Sequence, residues 1–186
     1  MALLAPLYMR ILGDSWARLG APVRALHATS FTLRARGRLR IEHGNGVARF
    51  VARILRLPPP AAAAETRLTV TARGDGEQWQ RTFAGRCLGT RQYASGGCEL
   101  AERFGVLEFR FRLDVSDGRL VYVQREAAFL FGPARLRIPA AWAPRVEARE
   151  DPAGPKRVNV EVHVSLPGVG PLIAYDGLID VEDAGA

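Results

Sequence analysis

The sequence predicts a mostly β chain, folded as an antiparallel up-and-down barrel of about ten strands, with helices at its N-terminus and one helix after the first strand. Three observations carry this. First, apolar and polar residues alternate strictly in many short segments. Phe31, Leu33, Leu39 and Ile41 oppose Arg34, Arg36, Arg38, Arg40 and Glu42; Leu107, Phe109, Phe111, Leu113 and Val115 oppose Glu108, Arg110, Arg112 and Asp114; Val158, Val160, Val162 and Val164 oppose Asn159, Glu161, His163 and Ser165. Successive side chains of a strand point to opposite faces, so each segment has one dry and one wet face, which antiparallel sheets show and parallel sheets do not. Second, turn signals arrive every 8–12 residues or so through most of the chain. Third, helical spacing of apolar residues is confined to two places near the start.

In chain order, residues 6–19 read as a helix. Pro6 suits a first turn, and Tyr8, Ile11, Leu12, Trp16 and Leu19 recur at helical spacing. Gly20-Ala21-Pro22 stops it, and a short helical turn from Val23 to His27 completes a helical segment over 6–27. The first strand, 30–43, ends in the turn signal His43-Gly44-Asn45-Gly46. A second helix, 46–57, carries an apolar stripe of Val47, Phe50, Val51 and Ile54 and a polar side of Arg49, Arg53 and Arg56, and Pro58-Pro59-Pro60 terminates it. Residues 61–64, all alanine, read as a linker. Strands are expected near 66–73, 77–84, 86–93, 98–104, 106–115, 119–128, 135–149, 156–165 and 171–181. Turns between them fall at Gly74-Asp75-Gly76, Ser95-Gly96-Gly97, Ser116-Asp117-Gly118, 151–154 and 167–170. Pro139 and Pro144 interrupt the 135–149 segment. No repeat and no second domain is visible, so residues 1–186 read as one domain with the barrel over 30–181 and a short acidic tail.

The 186 residues suffice for one substantial core, and 48% hydrophobic with 24% charged residues is the balance of a soluble globular chain. The net charge of +7 is almost wholly arginine, Lys156 being the only lysine. Clustered cations bind nucleic acid by releasing counterions from phosphate, but these arginines are spread over the polar faces of nearly every strand and no nucleic-acid motif accompanies them, so no nucleic-acid partner is expected. No run approaches the ~20 apolar residues of a transmembrane helix. Residues 1–12 hold Pro6 and Arg10 and lack a basic start and a small-residue cleavage site, so they do not read as a signal peptide. Cys87 and Cys98 flank an expected hairpin; two cysteines are too few for a disulfide framework and read as free thiols.

The order of elements is that of the calycin class, the lipocalins and fatty-acid-binding proteins, the latter placing a helical lid between their first and second strands. A helix-grip fold is the runner-up, but that fold ends in a long helix and this chain ends in a strand, 172–181. A set of short motifs carries a family resemblance: Leu7-Tyr8 with Leu12-Gly13-Asp14; Arg24 with Leu26-His27; Gly37 with Arg40; Gly44-x-Gly46; Leu57-Pro58-Pro59; Trp79-x-Arg81-x-Phe83; Glu102-Arg103-Phe104-Gly105; and Tyr175-x-Gly177. Together, from about residue 6 to 181, they resemble a bacterial family labelled domain of unknown function 4166. The resemblance implies a bacterial, cytoplasmic protein. The family sometimes appears fused to nucleotide-cofactor oxidoreductase-like domains, which implies an oxidoreductase partner; it carries no established activity.

Gly44-x-Gly46 stands between a strand and a helix, as a dinucleotide fingerprint would, but Arg49 occupies the third glycine's place and the following strands are antiparallel, so no cofactor is expected. Trp79-x-Arg81-x-Phe83 is more informative. Two large aromatics belong on the core side of a strand, which carries Arg81 inside with them. An interior guanidinium needs a partner: Glu102, on the face of Leu100 and Phe104, or a ligand carboxylate or phosphate. Tyr122 and Tyr175 point polar tips inward, Tyr175 sharing a face with Ile173 and Ile179. Trp79, Arg81, Glu102, Tyr122 and Tyr175 are therefore the candidate ligand-binding residues. His27, His43 and His163 fall in a helix end, a turn and a wet strand face, with no metal-ligand spacing, and neither a Cys–His nucleophile nor a G-x-S-x-G element is supported.

The function expected is a non-catalytic module binding a hydrophobic or amphipathic small molecule, of lipid, acyl or isoprenoid type, in the barrel. Two alternatives stand beside it. One is an accessory or catalytic domain working with an oxidoreductase through Glu102 and Tyr122 or Tyr175. The other is a barrel filled by side chains, with Phe31, Trp79, Phe83, Phe104, Phe109 and Phe111 inside, acting as an interaction domain. The 46–57 helix would lie across the barrel mouth with its apolar stripe packed on the barrel and its arginines solvated; a transient membrane contact is its other reading.

Overall fold

A computed structural model describes residues 5–29, 31–96 and 98–182. Ser30 of the expected first strand, Gly97 of a turn, the first four residues and the end of the acidic tail lie outside the described residues. The chain opens with α1 (Leu7–Leu12), a 3-10 turn (Gly13–Arg18) and α2 (Ala21–Leu26). Then come β1 (Thr32–His43), α3 (Gly46–Ile54), β2 (Ala61–Arg73), β3 (Gly76–Phe83), β4 (Arg86–Ala94), β5 (Glu99–Phe104), β6 (Leu107–Ser116) and β7 (Arg119–Phe131). β8 (Ala134–Arg137), β9 (Arg145–Pro152), β10 (Arg157–Leu166) and β11 (Gly170–Val181) follow.

All pairings are antiparallel, in the order β6-β5-β4-β3-β2-β1-β11-β10-β9-β7. β6 also pairs with β7, which closes a ten-stranded ring and leaves none of the ten as a free sheet edge. β8 is extra: it pairs with the outer half of β7 alone. This is the closed antiparallel barrel that the alternation predicts, with the N-terminal helices and the helix after β1 in place.

The two ends differ. Strands β1, β3, β5, β7 and β10 run toward the end that carries α3, here the upper end. α1 and α2 plug the lower end, where Gly20 N donates to Gly118 O at 2.8 Å. Their apolar residues Leu7, Tyr8, Ile11, Val23 and Leu26 are buried in the barrel core. Each fully buried side chain of this kind contributes about 1.5–3 kcal/mol, so the plug belongs to the core rather than ornamenting it.

Several local expectations change. The expected 6–19 helix breaks at Gly13, whose φ of 52° leaves the helical region, and continues as a 3-10 turn. The alanines of 61–64 are not a linker but the start of β2: Ala61 pairs with Ile41 and Ala64 with Leu39, because the β1 backbone offers a ladder that outweighs alanine's weak strand preference. Phe31 does not enter the barrel; it precedes β1 and is 69% exposed. Glu108, expected on a wet face, is buried on the outside of the barrel, clamped by Tyr93, Arg110 and Arg135, with Arg135 reaching on to Glu126.

The largest correction concerns α3. Its barrel-facing residues are Ala48 and Ala52, and of the apolar stripe Val51 alone packs against the core, half-buried, while Val47, Phe50 and Ile54 are exposed. The cause is a close approach that only small residues allow. A Cβ on Gly44 would sit 2.0 Å from Pro171 O and 3.3 Å from the Ala48 Cβ, so the base of α3 presses on β11. Asn45 fixes that seat: its Oδ1 accepts from Ala48 N at 3.0 Å, capping the helix, while its Nδ2 donates to Val169 O at 2.9 Å. The helix also stops at Ile54, short of the expected residue 57.

Candidate functional site: the barrel cavity

Strand parity decides what faces inward. On β3 the odd positions Glu77, Trp79, Arg81 and Phe83 do so, and on β4, in register with them, Leu88, Thr90 and Gln92. All of these but Glu77 enclose a cavity of about 210 Å³ together with Glu102, Phe104, Tyr122, Glu150, Val160, Val162, Ile173 and Tyr175. Leu55, Leu57 and Pro58, just after α3, form its upper wall and Leu26 of α2 its floor. The volume is below the roughly 300–1,000 Å³ of sites for drug-sized ligands, and equals that of about seven waters. It suits one short chain or a small ring.

The polar groups form two clusters. In the first, both terminal nitrogens of Arg81 lie 3.4 Å from Glu102 Oε1, Arg81 Nη1 donates to Thr90 Oγ1 at 2.9 Å, and the Thr90 hydroxyl donates to Glu102 Oε1 at 2.6 Å. The guanidinium carbon sits 4.9 Å from the centroid of the Trp79 ring, a cation–π contact. The Arg81 and Glu102 side chains are 17% and 19% exposed. Burial alone would lower the Arg81 pKa, but Glu102 and the neighbouring tyrosines outweigh it, so the net direction is upward. Tyr175 stands beside this cluster, its ring 5.4 Å from that of Phe83, and among the described residues its hydroxyl has no hydrogen-bond partner. Burial holds the Tyr175 pKa above its ordinary value, so the group is a neutral phenol, able to donate or accept.

The second cluster lies deeper, against the plug. Tyr8 donates to Gln92 Oε1 at 2.8 Å and its oxygen lies 3.1 Å from that of Tyr122. Tyr122 donates to Glu150 Oε1 at 3.0 Å, and His27 Nε2 lies 2.6 Å from Glu150 Oε2. The His27 ring stacks on Tyr8 at 3.8 Å between centroids. Burial, then the nearby Glu150 charge, pushes both tyrosine hydroxyls well above their usual pKa, so both remain protonated. Close by, Trp79 Nε1 donates to Glu77 Oε2 at 2.9 Å, while Glu77 Oε1 is buried without a hydrogen bond of good geometry among the described residues. Burial raises the Glu77 carboxyl above the usual range despite the Trp79 bond.

The five residues singled out from the sequence, Trp79, Arg81, Glu102, Tyr122 and Tyr175, all reach the cavity wall. They do not form one group: Tyr122 belongs with Glu150 and Tyr8, not with Glu102. Thr90, Gln92 and Glu150 escaped notice although strand parity, with Leu88 for β4 and with Val146 and Ala148 for β9, would have placed them inside. Tyr8 and His27 had no such signal, since only docking of the plug buries them. His43 bonds Pro58 O at 2.8 Å and His163 faces outward beside Glu161. Cys87 and Cys98 are exposed free thiols, and among the described residues no group of three or more His, Cys, Asp or Glu suits a metal ion. Where β7 parts from β9, an outer groove of about 600 Å³ opens, lined by Arg125, Arg137, Arg149, Glu147 and Glu161 among others. It is open to solvent and its charges are mixed.

A closed ten-stranded antiparallel barrel with one plugged end, an apolar interior and a few inward polar groups defines the class of protein, and it is consistent with a calycin-like resemblance. The chain belongs to the family described as domain of unknown function (DUF4166), whose family model matches residues 19–179. That span covers α2 and nearly the whole barrel and begins after α1, which carries Tyr8. No curated protein and no solved structure matches the chain.

Proposed function

We propose that this protein is a non-catalytic carrier of a small amphipathic molecule, an acyl or isoprenoid type of ligand with a neutral polar end, held in the barrel cavity. The observation that carries this reading is the pairing of an apolar cavity of about 210 Å³ with the Tyr175 hydroxyl, unengaged among the described residues, next to an internally neutralised Arg81–Glu102 pair. The pair changes the expectation for the ligand's head. A carboxylate or phosphate would meet Glu102 as well as Arg81 and leave a net negative charge in a dry site, which is costly. An alcohol, carbonyl or amide exchanges hydrogen bonds with Tyr175 and Glu102 without adding charge. The volume limits the tail to a short chain, and it argues against a barrel filled solidly by side chains. Exposed thiols at Cys87 and Cys98 suit a reducing cytoplasm.

The test is native mass spectrometry of freshly purified protein, organic extraction of anything released, and thermal shift with short-chain acyl and isoprenoid alcohols, amides and acids. A stoichiometric adduct, or stabilisation by neutral members that Tyr175→Phe weakens, is the expected result. A clean mass with no stabilisation by any member overturns the reading.

A second reading, an accessory or catalytic domain beside an oxidoreductase, draws on the chain of Tyr8, Tyr122, Glu150 and His27 bordering the cavity. It requires a ligand that reaches Tyr122, and Tyr122→Phe would then abolish turnover without weakening ligand binding.

A further inference from the structure

The upper end of the barrel carries apolar surface that nothing in the fold covers. On α3, Val47, Phe50 and Ile54 share a face by their spacing and are 57%, 66% and 63% exposed. Beside them Arg49 and Arg53 form a second face, Arg56 follows just past the helix end, and none of the three makes an ion pair among the described residues. Between Glu42 and Glu65 the chain has no acidic residue. Five more exposed apolar residues lie toward the same end, Phe129 in β7 among them, while Met9, Phe31 and Leu178 lie toward the other. Val106 lies in the β5–β6 turn, Phe131 and Leu136 in the β7–β8 hairpin, and Trp142, 76% exposed, in the segment leading to β9.

We propose that this end docks on the surface of an anionic phospholipid bilayer, with Phe50 and Ile54 entering the interface and Arg49, Arg53 and Arg56 meeting lipid phosphates. A helix with an apolar face and a purely basic one is what such a surface selects. A second copy of the chain is a poor occupant, because it would set the same unpaired arginines face to face in a protein of net charge +7. The position has a consequence for the cavity. Leu55, Leu57 and Pro58 continue directly from α3 and form the cavity's upper wall, so docking places that wall against the bilayer. Exchange of ligand at the membrane rests on the carrier reading; docking itself does not.

Flotation with phosphatidylcholine vesicles, with and without phosphatidylglycerol, tests the docking. Binding is expected only with phosphatidylglycerol and is expected to fall as salt rises. Phe50→Gln/Ile54→Gln should weaken it at least about tenfold, since burying even one such side chain exceeds a factor of ten. Arg49→Gln/Arg53→Gln/Arg56→Gln should do the same. All these positions are exposed, so thermal melting should stay unchanged. Absence of binding overturns the proposal, as do equal binding to neutral vesicles, binding indifferent to these variants, and self-association that Phe50→Gln/Ile54→Gln abolishes. A docking-defective variant that keeps its cavity ligand separates the two readings, and a protein that docks but binds no ligand counts against the carrier reading alone.

Discussion

Arg81 and Glu102 meet at a single oxygen: both terminal guanidinium nitrogens lie 3.4 Å from Glu102 Oε1, which Thr90 approaches more closely, at 2.6 Å. The pair is thus neither the parallel two-point fork of the strongest arginine–carboxylate contacts nor a loose surface ion pair. All three bonds fall on Oε1, which leaves the other carboxylate oxygen, like the Tyr175 hydroxyl, open to a guest.

Breaking this pair from one side leaves a charge in an apolar cavity. Arg81→Met should therefore destabilise the fold toward the lower end of the about 3–5 kcal/mol seen when one partner of a buried pair is removed, because both side chains keep some exposure. The double variant Arg81→Met/Glu102→Met should recover most of that loss. Urea unfolding of the two single variants and the double measures it; a double variant no better than Arg81→Met would mean the pair is not the dominant interaction.

Tyr122→Phe should cost about 1–3 kcal/mol, since Glu150 Oε1 loses its donor in a buried site. Tyr8→Phe removes the donor to Gln92 and the contact to Tyr122 together. The two substitutions share a network, so the cycle of single and double variants should show a coupling of about 0.5 kcal/mol or more. Strict additivity in the same unfolding assay would refute a shared network.

Glu77 gives the fold a pH dependence with a definite sign. Burial raises its folded pKa above the ordinary carboxyl value of 4.5, so the folded state holds this proton more tightly than the unfolded chain. Stability from this group is greatest below pH 4.5 and is lost as pH rises from there through the raised folded value. Glu77→Gln keeps an acceptor for Trp79 Nε1 and removes the ionisation. It should melt higher than the parent at neutral pH, with the gap closing in acid; a gap constant with pH would show that Glu77 does not titrate differently on folding.

Gly44→Ala and Gly46→Ala should behave oppositely although two residues apart. A Cβ at Gly44 would lie 2.0 Å from Pro171 O, so α3 must lift from β11, at a cost of about 1–3 kcal/mol. At Gly46 nothing lies within 4 Å, and alanine in this first helical position should be neutral or stabilising by up to about 1 kcal/mol. Thermal melting of both variants checks the contrast.

The interior was legible wherever a strand carried a clean alternation. Trp79, Phe83, Leu100 and Ile179 declare the inward face of their strands, and Arg81, Glu102 and Tyr175 come with them because parity admits no exceptions within a regular strand. The same rule applied to β4 and β9 reaches Thr90, Gln92 and Glu150, but those strands present few large apolar residues to set the parity. α3 misled for a different reason. Its strongest apolar residues outline a face, and the ordinary inference turns that face to the core. Gly44, Ala48 and Ala52 instead set which side can approach β11 closely enough to pack.

By itself the sequence determined the strand succession, the antiparallel sense, the helix between the first two strands and the inward lean of five polar or aromatic residues. These follow from side-chain periodicity and turn chemistry, which are local. Only the tertiary structure decided that β6 meets β7 to close the ring, that the plug carries Tyr8 and His27 to Glu150, that about 210 Å³ is left open within, and that the apolar face of α3 looks outward. Each of these depends on contacts between residues far apart in the chain, where the steric fit of particular small and large side chains, rather than their pattern, sets the outcome.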